Sequence, residues 1–228
     1  MQHKKAGYGI LLFLCLVLIG GGAASAADRA AAPHTEHSST HVERLRFIPT
    51  TKPAVIFTFG GLSKGAELDG ILTEMAAQGM RGTFFVTERE LQRNGENIRR
   101  IVAAGQDLGI GLRTEAGADT AAYEAQIQRI QTALRTRYGV TTNIVRQMSG
   151  ADEPAISDAV SVLGCVLVGQ SVNVVQSKHK DAQSSEEIMP QIFGRWTTSL
   201  NRGHIVYLRM DFYTRPGLAA DMLRAIKA

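Results

Sequence analysis

A short apolar run that stops at a pair of glycines constrains this chain more than any other stretch. Residues 55–62 read VIFTFGGL, and a run this rich in β-branched and aromatic side chains is typical of a strand buried between helices. In parallel sheets and barrels, ligands and catalytic groups lie in the loops that follow the carboxyl ends of the strands. Gly60 and Gly61 place backbone in that loop but no acid, base or metal ligand.

The rest of the chain alternates strand patterns with helix patterns, which predicts a parallel α/β fold. Thr87 and Glu90 have the spacing of a capping box, so we expect a helical region from there to about residue 104. Segment 169–185 is too polar to assign. The other predicted strands are 83–86, 107–110, 143–145, 165–168 and 205–208, and the other predicted helices are 68–79, 123–138, 154–163, 186–200 and 218–227.

The first 26 residues have the pattern of a secretory signal peptide. Lys4 and Lys5 precede an apolar run at 10–19, and small residues at 24–26 suit cleavage. The apolar run is short for a transmembrane span. We therefore expect a secreted or cell-envelope protein that contacts the membrane only if this segment stays uncleaved.

A linker is predicted between the signal segment and a domain at 52–228. Residues 27–51 are rich in Ala, Ser, Thr and His and poor in large apolar side chains, a composition typical of flexible segments. His34, His37 and His41 recur there, and such a cluster can bind a transition metal. A solvated tether is the favoured interpretation, because a flexible segment lacks the outer groups that orient metal ligands.

The net charge gives no support to a nucleic-acid partner, and the cysteine content excludes an intramolecular disulfide. The chain has 25 Lys and Arg residues against 21 Asp and Glu, and two of the lysines lie in the signal segment, so nucleic acid is not an expected partner. Cys165 is the single cysteine after the signal segment, and it lies in an apolar run. An intramolecular disulfide is therefore excluded, and a buried inert thiol is expected.

Several sequence blocks together resemble the polysaccharide deacetylase (NodB homology) family. They are FTF at 57–59, GTFFVT at 82–87, NIRRIVAAG at 97–105, DLG at 107–109 and GHIVYL at 203–208. Members of this family remove acetyl groups from chitin-like polymers, peptidoglycan or xylan with a divalent metal. The resemblance implies a NodB-like distorted parallel β/α barrel over 52–228, one that ends before the family's last strand.

The residues that carry the family's chemistry are replaced in this chain. Where the family has T-F-D-D-G, with a catalytic base and a metal ligand, this sequence has Gly60 and Gly61. Gly111 and Glu115 stand where the family has two histidine ligands. Metal-assisted deacetylation needs the cation to polarise the acetyl carbonyl and activate water. The resemblance therefore implies a chain with no catalytic residues, no bound metal and no cofactor.

The same replacements leave arginines without their family counter-charges. Arg146 persists from the family's R-x-P-Y-G, Arg209 stands near the family's general-acid histidine, and Arg113 lies in the former histidine loop. Such a cationic site suits a carboxylate or phosphate. The alternative is that Glu115 pairs with Arg146 and the other arginines point into solvent. The predicted ligand-binding residues are Gly60, Gly61, Arg113, Glu115, Arg146 and Arg209.

Three functions remain open from the sequence. The first is a pseudoenzyme that binds an envelope glycan, neutral or anionic, in the inherited cleft. The second is a structural or regulatory module that docks on an envelope protein. The third is an enzyme with rearranged chemistry that uses Glu115, Asp107, Asp211 and His204. Trp196 is either a sugar-stacking platform or, as we favour, a core residue.

Overall fold

A single parallel sheet organises the part of the chain that the computed structural model describes, which is residues 42–50, 54–62, 65–193 and 202–227. The order of its seven strands is β5-β4-β3-β2-β1-β7-β6, and all pairs are parallel. The strands are β1 (Ala54–Gly60), β2 (Gly82–Val86), β3 (Asp107–Arg113), β4 (Ile144–Ser149), β5 (Val166–Leu167), β6 (Val172–Asn173) and β7 (Arg202–Arg209). The predicted parallel α/β fold is confirmed.

Helices connect the strands at the predicted places, except that one predicted helical region is divided into two helices. The helical region after Thr87 splits at Asn94, and the capping box that begins it is present, with Thr87 and Glu90 bonded reciprocally. None of the helices in the described ranges is long and apolar enough to cross a membrane. The helices are α1 (Gly65–Ala77), α2 (Glu88–Arg93), α3 (Gly95–Ala103), α4 (Thr120–Tyr138), α5 (Pro154–Val162), α6 (Ser185–Phe193) and α7 (Leu218–Lys227).

The core forms between the sheet and these helices, as the apolar strand run predicted. Phe59 and Phe84, on neighbouring strands, are fully buried, and their rings stack with centroids 4.5 Å apart. The strand residues Phe57, Phe59, Phe84, Val86, Val206 and Leu208 are buried, and Val55 is partly exposed. Cys165 is also buried, as expected, and burial raises the pKa of its thiol.

Residues 42–50, which we call the strap, pack against the sheet although their composition predicted a linker. The Leu45 N–H donates to the Leu167 carbonyl (2.7 Å), and the Gly169 N–H donates to the Leu45 carbonyl (2.8 Å). Further along, the Ile48 N–H donates to the Gly203 carbonyl (2.8 Å). The strap therefore bonds both to the end of β5 and to the start of β7, which lie on opposite sides of the curled sheet.

The strap depends on Gly203, and a substitution there tests this. Gly203 has φ +79°, and a Cβ added to it would overlap the Ile48 carbonyl. Gly203→Ala is expected to lower the free energy of unfolding by roughly 2–4 kcal/mol, because backbone strain adds to loss of the strap contacts. The control is Gly79→Ala, since Gly79 has φ +61° but no atom near its Cβ position; about 1–2 kcal/mol is expected. Equal losses in urea denaturation would show that the strap adds no stability.

Candidate functional site

The carboxyl ends of the central strands place most of the predicted site residues at one edge of the sheet. Gly60 ends β1, Gly111 lies in β3 opposite Arg146 of β4, and Arg209 ends β7. Since the strands are parallel, these positions share the edge where active sites of such folds lie. We call Gly60, Gly61 and Gly111 the family centre, because they stand where the resemblance implies a base and metal ligands.

Met148 fills the space beside two of these glycines. A Cβ at Gly60 would overlap the Met148 methyl group and lie 2.6 Å from the Tyr207 hydroxyl. A Cβ at Gly111 would lie 3.1 Å from both Met148 Cγ and Thr87 Cγ2. Methionine adapts its shape to irregular gaps, which suits it to this role. Met148 therefore occupies part of the space that larger side chains at Gly60 and Gly111 would need.

An ion pair occupies the space beside the third glycine. Gly61 has φ +75°, and a Cβ there would overlap the Asp211 carboxylate. Arg209 holds that carboxylate with two hydrogen bonds, from Nε (2.8 Å) and Nη2 (2.7 Å). Burial opposes ionisation of Asp211, but the hydrogen bonds and charge of Arg209 outweigh it, so the pKa of Asp211 is lowered. Met148, Arg209 and Asp211 together close the family centre, and we call them the closing residues.

Arg146 is a buried cation held without a carboxylate. Its side chain is almost fully buried, Nη1 donates to the Gly169 carbonyl (2.8 Å) and Nη2 donates to Gln170 Oε1. The guanidinium lies 3.7 Å from the centre of the Tyr207 ring, a cation–π contact. Burial lowers the pKa of Arg146 to about 10, so it remains charged at neutral pH. The alternative pairing with Glu115 is not formed in the structure.

Tyr207 places a buried hydroxyl beside Gly60. The residue is buried on β7, and within the described ranges its hydroxyl has no hydrogen-bond partner. Burial raises the pKa of this hydroxyl. Tyr207, Met148 and Asp211 are the residues at this site that the motif comparison did not identify as site residues. Met148 occupies the proline position of R-x-P-Y-G, the one signal that pointed to it.

An open groove lies next to the closed family centre. It has a volume of about 230 Å³ and follows the ends of β2 and β3, where Thr87, Gly111, Arg113, Glu115 and Gln126 contribute to its lining. Of the six predicted ligand-binding residues, Arg113 and Glu115 line this groove. Gly60, Gly61, Arg146 and Arg209 lie at the closed centre instead. Ligand binding by any of the six stays a prediction.

The four residues of the rearranged-enzyme hypothesis do not converge. Asp107 begins β3 and pairs with Arg81 (3.1 Å), and His204 lies near the start of β7 against Phe47 of the strap. Glu115 and Asp211 follow the opposite ends of the same two strands. The geometry therefore gives no support to a catalytic site built from these four. The linker histidines and Trp196 lie outside the described residues.

A family model decides the classification. The model for polysaccharide deacetylases matches residues 48–168, more than half of the chain. The chain belongs to the polysaccharide deacetylase family. A search of curated proteins found no similar sequence.

Solved structures of family 4 carbohydrate esterases share the fold. A pseudoenzyme from Bacillus anthracis has a TM-score of 0.65 and 19% identity, over 80% of this chain and 63% of that one. A peptidoglycan deacetylase from Bdellovibrio bacteriovorus has a TM-score of 0.66 and 16% identity, over 85% of this chain and 55% of that one. The chain thus spans less than two thirds of either protein. An esterase from Streptomyces lividans has a TM-score of 0.58 and 16% identity, over 77% and 86%.

The divalent metal that the deacetylase family implies does not fit the residues present here. Glycines stand at the base position 60 and at the ligand positions 61 and 111, Glu115 is the single carboxylate at a ligand position, and the Asp211 carboxylate occupies the space beside Gly61. Within the described ranges, no group of three or more His, Cys, Asp or Glu residues is placed to hold a metal ion. No reaction step through a metal is therefore assigned to this centre.

Proposed function

We propose that this deacetylase-family chain is a non-hydrolytic, extracytoplasmic protein that binds a glycan in the groove beside its closed centre. The proposal rests on the contrast between the family centre and the groove beside it. The family centre is filled by Met148 and by the Arg209–Asp211 pair, whereas the adjacent groove is open. A fold that has lost the chemistry but keeps an open groove at the same sheet edge retains the means to bind.

The chemistry of the groove suits a sugar better than an apolar ligand. Gln92 is exposed and presents an amide group, which donates and accepts the hydrogen bonds that sugar hydroxyls and acetamido groups form, beside the charged side chains of the groove. Its volume of about 230 Å³ is at the small end for ligand pockets, so it fits one sugar unit and leaves the rest of a chain outside. The export-type first segment and the peptidoglycan deacetylases among the similar structures support an envelope glycan as the ligand.

Binding without hydrolysis is the expected result for acetylated glycans. N-acetylglucosamine oligomers and peptidoglycan fragments should perturb the protein on titration, and no acetate should be released above the blank, since base and metal ligands are absent. The measurements are calorimetric titration and enzymatic acetate detection on the full chain, with an active deacetylase as the positive control. Acetate release abolished by a chelator would overturn the non-hydrolytic part. Absence of binding to every glycan would overturn the glycan part.

A further inference from the structure

The charged residues of the groove differ in the hydrogen bonds and ion pairs that they make within the protein. Glu88 accepts two hydrogen bonds from Arg129, at 2.9 and 3.3 Å. Glu115 accepts from the Gln126 amide at 3.3 Å. Arg89 and Arg113 also line the groove, and both are exposed. Within the described ranges, neither arginine has a hydrogen bond or an ion pair. The groove therefore offers two guanidinium groups that make no hydrogen bond or ion pair within the described residues. Of its two carboxylates, Glu88 is already paired with Arg129.

Arg113 extends from a fixed part of the backbone. It is the last residue of β3 and pairs with Ser149 of β4, after a shift of register between Leu112 and Arg113. Two residues later, the Glu115 N–H donates to the hydroxyl of Tyr123 (2.9 Å), whose side chain is almost fully buried. Both sides of Arg113 are thus anchored, which lowers the entropy lost when its side chain binds a ligand.

Asp211 is a further carboxylate that the charge of Arg113 reaches, but it is already bonded to Arg209. The positive charge of Arg113 contributes to the lowered pKa of Asp211, so the two groups are close enough to interact. Both Asp211 oxygens, however, accept hydrogen bonds from Arg209. Arg113 consequently keeps its donors for a partner outside the chain, and a planar guanidinium matches a carboxylate with two parallel hydrogen bonds.

We infer that the groove selects saccharides that carry a carboxylate, with Arg113 as the main contact and Arg89 as a second. The inference rests on the proposed glycan binding and adds the class of glycan to it. A sugar with an acidic substituent, such as a lactyl ether or a uronic acid, places a carboxylate at its edge while its hydroxyl and acetamido groups remain free for Gln92. Arg146 and Arg209 have no part in this contact, since both are committed at the closed centre.

Two disaccharides of equal length test the inference. The neutral probe is the N-acetylglucosamine disaccharide, and the acidic probe is N-acetylglucosamine linked to N-acetylmuramic acid. Calorimetric titration of the full chain at low salt is expected to show about tenfold tighter binding of the acidic probe, the effect of one charge-assisted contact. The preference is expected to shrink at high salt, because exposed charges are screened.

Arg113→Gln should lower the affinity for the acidic probe about tenfold and so remove the preference, while Arg89→Gln should lower that affinity by a smaller factor. The control is Arg135→Gln, because Arg135 is an exposed residue of α4 outside the groove and its loss changes the net charge equally. Equal binding of both probes, or a preference untouched by Arg113→Gln, would overturn the inference while glycan binding stands. Binding of neither probe would overturn the proposed function itself.

Discussion

Restoring the family residues alone is expected to leave the protein without tight zinc binding, and restoring them together with replacement of the closing residues is expected to create it. A Cβ at position 60 would overlap Met148, one at position 61 would overlap Asp211, and one at position 111 would lie 3.1 Å from Met148. If Asp211 alone were changed, Arg209 would lose its ion-pair partner. Arg209 is therefore replaced as well, by the histidine that the family has near this position. The restoring changes are Gly60→Asp, Gly61→Asp, Gly111→His and Glu115→His, and the opening changes are Met148→Ala, Arg209→His and Asp211→Ala.

Zinc affinity should differ by roughly a hundredfold between the restored variant and the restored and opened variant, since side-chain overlap costs a few kcal/mol and each 1.4 kcal/mol is a factor of ten. The measurement is calorimetric zinc titration, with circular dichroism to verify that each variant is folded. A variant with only the opening changes is the matched control, and it should not bind zinc tightly because it lacks ligands. Deacetylase turnover should return less readily than zinc, since outer groups that orient the ligands are also absent. Equal zinc affinity with and without the opening changes would show that the closing residues do not close the centre.

Phe84→Ala is expected to lower the free energy of unfolding by about 3–5 kcal/mol, a large fraction of the stability of a typical domain. Phe84 lies on β2 in the middle of the sheet, is fully buried and stacks on Phe59 of β1. Removing the ring loses its transfer free energy and leaves a cavity that the surrounding strands cannot fill. Urea denaturation measures the loss. Val162→Ala is the control, because Val162 is 64% exposed and its truncation should change stability by about 0.5 kcal/mol or less.

The central strands and most helices follow directly from sequence pattern because their signals are local. The β-branched and aromatic run before Gly60 predicted β1, and the Thr87–Glu90 spacing predicted the start of α2, which the structure confirms. The strap and β6 were not predicted, since both are held by backbone hydrogen bonds to distant strands. Val172 and Asn173 pair with β7, more than 30 residues away, and nothing in a polar segment specifies that partner.

The candidate site, like the fold, could be predicted from the sequence only in part. Loss of the family's acids and histidines is visible in the sequence, because each position is fixed by a motif. What replaced them is not visible, because the Met148 side chain comes from β4 to fill space beside β1 and β3, and Asp211 comes from beyond β7. Motif spacing placed Arg113, Arg146 and Arg209 in one cationic site. In the structure, two of them have partners within the protein, because Arg209 pairs with Asp211 and Arg146 is buried against Tyr207.

Zinc titration tests most directly the central claim that the family centre holds no metal. A variant without the linker histidines is needed, because those histidines can bind zinc themselves. The full chain is titrated in parallel with a variant in which His34, His37 and His41 are replaced by alanine. No stoichiometric zinc is expected in the variant without these three histidines, since glycines stand at ligand positions 61 and 111 and the Asp211 carboxylate lies beside Gly61. One tightly bound zinc in that variant, lost when Asp211 or Glu115 is changed to alanine, would contradict it.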